Sequence, residues 1–190
     1  MFIQTETTPN PASLKFLPGR EVSLLMRDYE DAQAGAESPL AQSLFAIAGV
    51  ERVFLGKDFL TVSKAASAEW AHLKPAILGA IMDHFVSGRP VLHAAEKNGN
   101  DAPNEAVYEG EAAGIVVQIK ELIETRIRPA VAQDGGDIVF HSWSQETGVV
   151  KLHLRGSCAG CPSSAFTLKQ GIETMLKHYV PEVTRVEPVL

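Results

Sequence analysis

Two cysteines, Cys158 and Cys161, stand two residues apart in the run GSCAGCPSS, and no other thiol exists in the chain. Thiols so spaced can close on each other, exchange with the disulfides of other proteins, or supply two ligands to zinc or an iron–sulfur cluster. Such metal centres want four protein ligands, and two thiols fill half of that set. Histidine is one way to complete it: His141 and His153 lie on neighbouring predicted strands. His178 lies about four helical turns beyond the thiols and is out of reach. A second way needs no other ligand type. Two copies of the chain, each offering its CxxC, present four thiolates about a two-fold axis, the number that a 4Fe-4S or 2Fe-2S cluster requires. A cluster shared in this way sits at the surface between subunits and is labile, which suits transfer better than storage. The residues alone leave a cluster site, a zinc-binding interaction module and a CxxC thiol-disulfide oxidoreductase open. Two structural thiols without chemistry are the blandest reading, and a glycine-rich loop is a poor place to bury them.

The elements that must position these thiols are legible around them. In VVKLHLRG, Val150, Leu152 and Leu154 alternate with Lys151, His153 and Arg155, the period of a strand covered on one face. Leu168, Ile172, Met175, Leu176 and Tyr179 then recur at helical spacing. The thiols therefore fall in the loop between a strand and a helix N-terminus, where exposed N–H groups and the helix dipole favour thiolate over thiol. Pro162 suits the first helical turn, and Ser163 or Ser164 can cap it. Upstream, Ile115, Ile119, Leu122, Ile123 and Ile127 predict a helix ending near Arg128, because Pro129 disfavours helical geometry in its predecessor. QDGGD, Gln133 to Asp137, supplies a tight turn into the strand IVFHSW, and VTRVEPV returns as a last strand. The order is α-β-β-α-β. Its two central strands read as an antiparallel hairpin, whereas the thioredoxin setting needs a CxxC after a parallel strand, which argues against the redox reading.

The 190 residues, 45% of them apolar, exceed one such unit. Residues 93–111 are polar, rich in small residues and without apolar period, and read as a flexible linker between domains at 1–92 and 112–190. The first half opens with two short strands, FIQTE and SLKFL, separated by the turn TTPNPA. Ser38 and Pro39 then start a short helix, and VERVFLG and FLTVSK form a hairpin about Lys57 and Asp58. Trp70, Leu73, Ile77, Ile81 and Phe85 mark a longer helix that Pro75 either kinks or delays. The fold class is thus α+β, in two small domains. A net charge of −6 argues against nucleic acid as a partner, and no apolar run reaches membrane-spanning length. The first residues lack the pattern of a secretory signal or of a transit peptide, so the expected compartment is the cytoplasm, or an organelle after removal of a leader.

IRPAVAQDGGDIVF, Ile127 to Phe140, with LRGSCAGCPSSAFTLKQGIETMLKHYVPEV, Leu154 to Val183, resembles the NifU-like C-terminal domain of Nfu proteins. MFIQTETTPNPASLKFLPG and LFAIAGVERVFLGKDFLTVSK resemble the N-terminal domain that accompanies it in bacterial and mitochondrial members. The resemblance implies an iron–sulfur cluster carrier or scaffold rather than an enzyme. In this family a labile cluster, usually 4Fe-4S, is accepted from a donor and handed to apo-proteins. The ligand role falls on Cys158 and Cys161, with 2Fe-2S as the alternative cluster. The expected state is a homodimer when cluster-bound and a monomer without cluster, in the cytoplasm or in the mitochondrial matrix once a leader is gone. The N-terminal domain is credited with partner recognition. TPNP and QDGGD both read first as structural turns, with partner contact the alternative for TPNP and support of the nearby cluster loop or of the subunit contact the alternative for QDGGD.

Overall fold

The computed structural model describes residues 2–93, 108–159 and 162–189, and of residues 162–168 only the backbone. It divides into two compact units, Met1–Asn98 and Gly99–Leu190, each of mixed helix and sheet, as the α+β reading expects. Most of the expected linker, residues 94–107, lies outside the described residues. Its two ends are held. His93 N–H donates to the Glu37 carbonyl at 2.8 Å. The Tyr108 hydroxyl donates to Trp143 O at 3.0 Å and accepts from Trp143 N–H at 2.7 Å, so ordered packing of the second unit begins before the boundary expected at residue 112.

In the first unit, β1 (Gln4–Thr7), β2 (Ser13–Leu17), β3 (Arg27–Tyr29), β4 (Val50–Leu55) and β5 (Leu60–Lys64) form one antiparallel sheet in the order β1-β2-β5-β4-β3. Helices α1 (Pro39–Phe45) and α2 (Trp70–Val86) cover one face, where Leu40, Leu44, Ile77 and Ile81 are fully buried with Phe16 and Val62. The cap of α1 is the expected one: Ser38 Oγ accepts from Ala41 N–H at 3.1 Å and donates to the Val91 carbonyl at 2.7 Å, tying the end of the unit to this helix. TPNP is a turn, with Asn10 Oδ1 accepting from Ala12 N–H at 3.0 Å. Helix α2 starts at Trp70 and runs through Pro75. Both Pro75 and Ala71 are exposed, so the Ala71 carbonyl left without a helical donor is open to water. The edge strand β3 escapes sequence reading because it is three residues long and charged. A fork from Arg52 to Asp28, at 2.9 and 2.8 Å, holds it against β4.

The second unit runs α3 (Glu111–Leu122), a π-helical turn (Ile123–Ile127), α4 (Arg128–Gln133), β6 (Gly136–Trp143), β7 (Val149–Gly156), α5 (Pro162–Tyr179) and β8 (Arg185–Val189). The expected α-β-β-α-β order holds. The first helix does not stop at Arg128: the Arg128 N–H reaches back five residues to the Ile123 carbonyl, and this wider turn loosens the ladder just ahead of Pro129. The same turn keeps the buried residues Ile119, Ile123, Ile127 and Val131 on one face. A spacing of four drifts about 40° per step on a regular α-helix, and the wide turn takes the drift back.

The sheet order is β6-β7-β8, with β7 antiparallel to β6 and parallel to β8. This corrects the reading of an antiparallel hairpin alone. Segment β7–α5–β8 is a parallel crossover, and the CAGC run lies where its first strand gives way to its helix. Local alternation reports which face a strand buries but not which neighbour it pairs with, so the parallel partner 36 residues on could not be read from sequence. Ile138, Phe140, Val150 and Leu152 meet the helices on one face of this sheet, and the other face is free of that core.

Candidate functional site

The loop that carries the thiols leaves β7 at Gly156, whose φ of +63° favours glycine, and turns beneath QDGGD. Two bonds stitch the two segments together. Ser157 N–H donates to the Gly135 carbonyl at 3.2 Å, and Ser157 Oγ donates to the Asp134 carbonyl at 2.6 Å. Gly135, at φ +79°, makes the sharp turn that delivers Gly136 into β6 opposite Gly156. QDGGD is therefore both a turn and the support of the cysteine loop.

Cys158 is buried, 5% exposed, within the core of the second unit. This corrects the expectation that a glycine-rich loop leaves its thiols in solvent. The reason lies in Gly136, which has no side chain: a Cβ built there would overlap Cys158 Sγ and stand 3.0 Å from the Arg155 carbonyl. The vacant side-chain position of Gly136 is thus a recess into which the small, apolar thiol fits. Cys161 and Gly160 lie outside the described residues; the α5 backbone begins at Pro162, as expected of a proline in the first helical turn.

The residue after Gly136 belongs to an ion-pair network that the sequence did not disclose. Asp137, next to Gly136, has a side chain only 2% exposed, and Arg128 grips it with two bonds of 2.7 and 3.0 Å. A further guanidinium nitrogen of Arg128 meets both oxygens of Glu124 at 2.8 Å. The Asp137 bond, foremost, keeps the guanidinium above its already high ordinary pKa. The signal lay in the spacing: Arg128 opens α4 and Asp137 is the second residue of β6 nine residues on, with glycines between.

The histidines divide otherwise. His178 closes α5 with its ring against Tyr179. His141 and His153 pack on each other, ring centroids 4.9 Å apart, on the sheet face away from the helices. Among the described residues no three of His, Cys, Asp and Glu come together as a metal site, so the described fold does not join either histidine to Cys158. No helix among those residues is long and apolar enough to cross a membrane.

Comparison with known proteins adds to this geometry. Residues 3–88 match the family described as the scaffold protein Nfu/NifU N terminal, and residues 119–187 match the NifU-like domain. The chain is similar over its whole length, at 52% identity, to a protein of Drosophila persimilis named NFU1 iron-sulfur cluster scaffold homolog, mitochondrial, and spans 65% of that protein. It is 49% identical over 98% of its length to NifU-like protein 5, mitochondrial, of Arabidopsis thaliana, spanning 67% of it. A solution structure of a NifU-like protein from Saccharomyces cerevisiae aligns with half of this chain and 87% of its own, at 30% identity and a TM-score of 0.42.

Proposed function

Because this chain belongs to the Nfu family of scaffold proteins, matched in both of its halves, we propose that it is an iron–sulfur cluster carrier whose ligands are Cys158 and Cys161. Two copies contribute one CxxC each and hold a labile 4Fe-4S cluster, with 2Fe-2S the alternative, between them. The observation that carries the reading is the built seat of Cys158: a strand end and a glycine recess meet at one thiol of a CxxC inside the NifU-like domain.

Transfer is ligand exchange. Each incoming client thiolate forms a bond to an iron as the bond from Cys158 or Cys161 breaks, the released thiolate takes up a proton, and no electrons change hands. The client's more complete ligand set supplies the driving force, so no catalytic acid or base is required. Cys158 lies recessed in the cluster-free fold, so loading requires its loop to swing outward from Gly136. The partners are an upstream cluster donor and apo iron–sulfur proteins. The names of the relatives favour a mitochondrial setting and lend the cytoplasmic expectation no support.

Anaerobic reconstitution with iron and sulfide tests this directly. About four irons and four sulfides per pair of chains, lost in Cys158→Ala and in Cys161→Ala, is the expected result. A colourless monomer that takes up no iron overturns it. The thiol-disulfide oxidoreductase reading keeps one observation in its favour, the parallel crossover in which CAGC lies. That reading requires a monomer cycling between dithiol and disulfide, with Cys161→Ser trapping a mixed disulfide.

A further inference from the structure

We propose that His141 and His153 form a second metal site, for a divalent transition-metal ion such as Zn2+, on the face of the β6-β7-β8 sheet opposite the helices. The two rings are brought together by an irregularity of the ladder. Strand register slips between Phe140 and Ser142, leaving His141 as the extra residue of β6, while His153 pairs with Val139 across the strands. A bulge of this kind re-aims one side chain, and here it leans the His141 ring toward His153.

The separation fits a shared ion. A nitrogen-bound ion lies about 2.0–2.1 Å from each ligand atom, and the ring centre about 1.2 Å behind it, so each centroid stands about 3.2 Å from the metal. Two imidazoles on one ion then have centroids about 4.5 Å apart at a right angle and about 5.2 Å apart at the tetrahedral angle. The observed 4.9 Å falls between, and the interplanar angle of 69° sets the rings edge to face rather than stacked. His141 Nδ1 lies 3.0 Å from Ser142 Oγ, an outer contact of the kind that orients a ligating ring and leaves Nε2 to the metal. No hydrogen-bond partner occupies a ring nitrogen of His153 among the described residues.

The surroundings select the ion. Lys151 and Arg155 share this face of β7 with His153, and Glu187 of β8, in register with Lys151, pairs with Arg185 at 3.1 Å. Burial first, then the neighbouring His141 and Arg155, keep the His153 ring below its ordinary pKa, in the neutral form that binds metal. The two donors brought together are imidazole nitrogens and the Glu187 carboxylate is taken by Arg185, so the pair suits ions that imidazole binds well rather than Mg2+ or Ca2+, which want oxygen. His153 precedes Cys158 by five residues of chain, up to about 17 Å of extended strand, so the pair is separate from the cysteine loop and stands or falls independently of the function proposed above.

The test uses the native full-length chain and follows its imidazole NMR signals as Zn2+, and in a parallel sample Mg2+, is added past the amount that the thiols consume. The expected result is that the His141 and His153 signals move together to a one-to-one endpoint with Zn2+ and stay still with Mg2+. His141→Gln and His153→Gln, both away from the core, should each weaken this second binding at least about tenfold with unchanged thermal midpoint. Signals of His141 and His153 that stay still while His72, His93 or His178 shift would overturn the proposal, and so would unchanged affinity in both glutamine variants.

Discussion

The thiol of Cys158 rests against the backbone of Gly136, in the place a side chain at that position would fill. Gly136→Ala therefore pits a methyl group against a sulfur, with the Arg155 carbonyl and Ser157 Oγ, at 3.0 and 3.2 Å from the new carbon, closing the other sides. Overpacking of this kind costs about 1–3 kcal/mol, and relief comes from expelling the thiol. The variant should unfold at lower denaturant in its second unit and alkylate faster at Cys158, read by mass mapping of the modified peptide. Unaltered alkylation would show that the recess does not control the thiol.

Asp137 is buried and depends on Arg128 for its partner. Arg128→Met leaves a carboxylate without its counter-ion and should destabilise the second unit by about 3–5 kcal/mol. Adding Asp137→Leu should recover much of that loss, since an apolar pair replaces a half-broken ionic one. Arg128→Lys should not rescue, because an ammonium cannot make the two parallel bonds that the fork makes. Chemical denaturation of the full chain, followed through Trp143 fluorescence, measures all three.

His84 is wholly buried on α2, and neither ring nitrogen has a hydrogen-bond partner among the described residues. Burial first, and Arg89 second, hold its pKa below the ordinary 6.5. The unfolded chain therefore binds the proton more readily than the folded one. Stability of the first unit is fully present above about pH 6.5, falls as pH drops from there toward the depressed folded value, and levels off below it. One proton caps the slope in that window at about 1.4 kcal/mol per pH unit, and His84→Leu should flatten it. His72→Leu, at an exposed position of the same helix, should leave the slope in place, with thermal midpoints taken across pH 5 to 8 as the readout.

Where the chain's own neighbourhood decides the structure, sequence reading succeeded. Ser38 and Pro39 specify a helix start within four residues, the alternation of Val150 and Leu152 specifies the buried face of β7, and the period of Ile172 and Leu176 specifies α5. Features decided by distant partners escaped it. The parallel mate of β7, the three-residue strand β3 and the docking of Tyr108 on Trp143 each depend on a surface that local period does not record. Pro129 misled for a related reason, since the wide turn that accommodates it answers to the core face of Val131 rather than to the proline itself. At the site, the turn of QDGGD and the strand end that leads to Cys158 were legible from residue type and spacing. The depth of Cys158 was not, because it follows from an atom that Gly136 lacks.

That depth bears on the hazards of oxygen. A sulfur tucked out of solvent is slow to meet peroxide, so this fold withholds Cys158 from the step to sulfenic and then irreversible sulfinic acid. If Cys158 loads iron as proposed, its vulnerable moment is the interval after the loop has swung out and before iron arrives, and the speed of loading, more than the concentration of the protein, then sets how much survives oxidative stress.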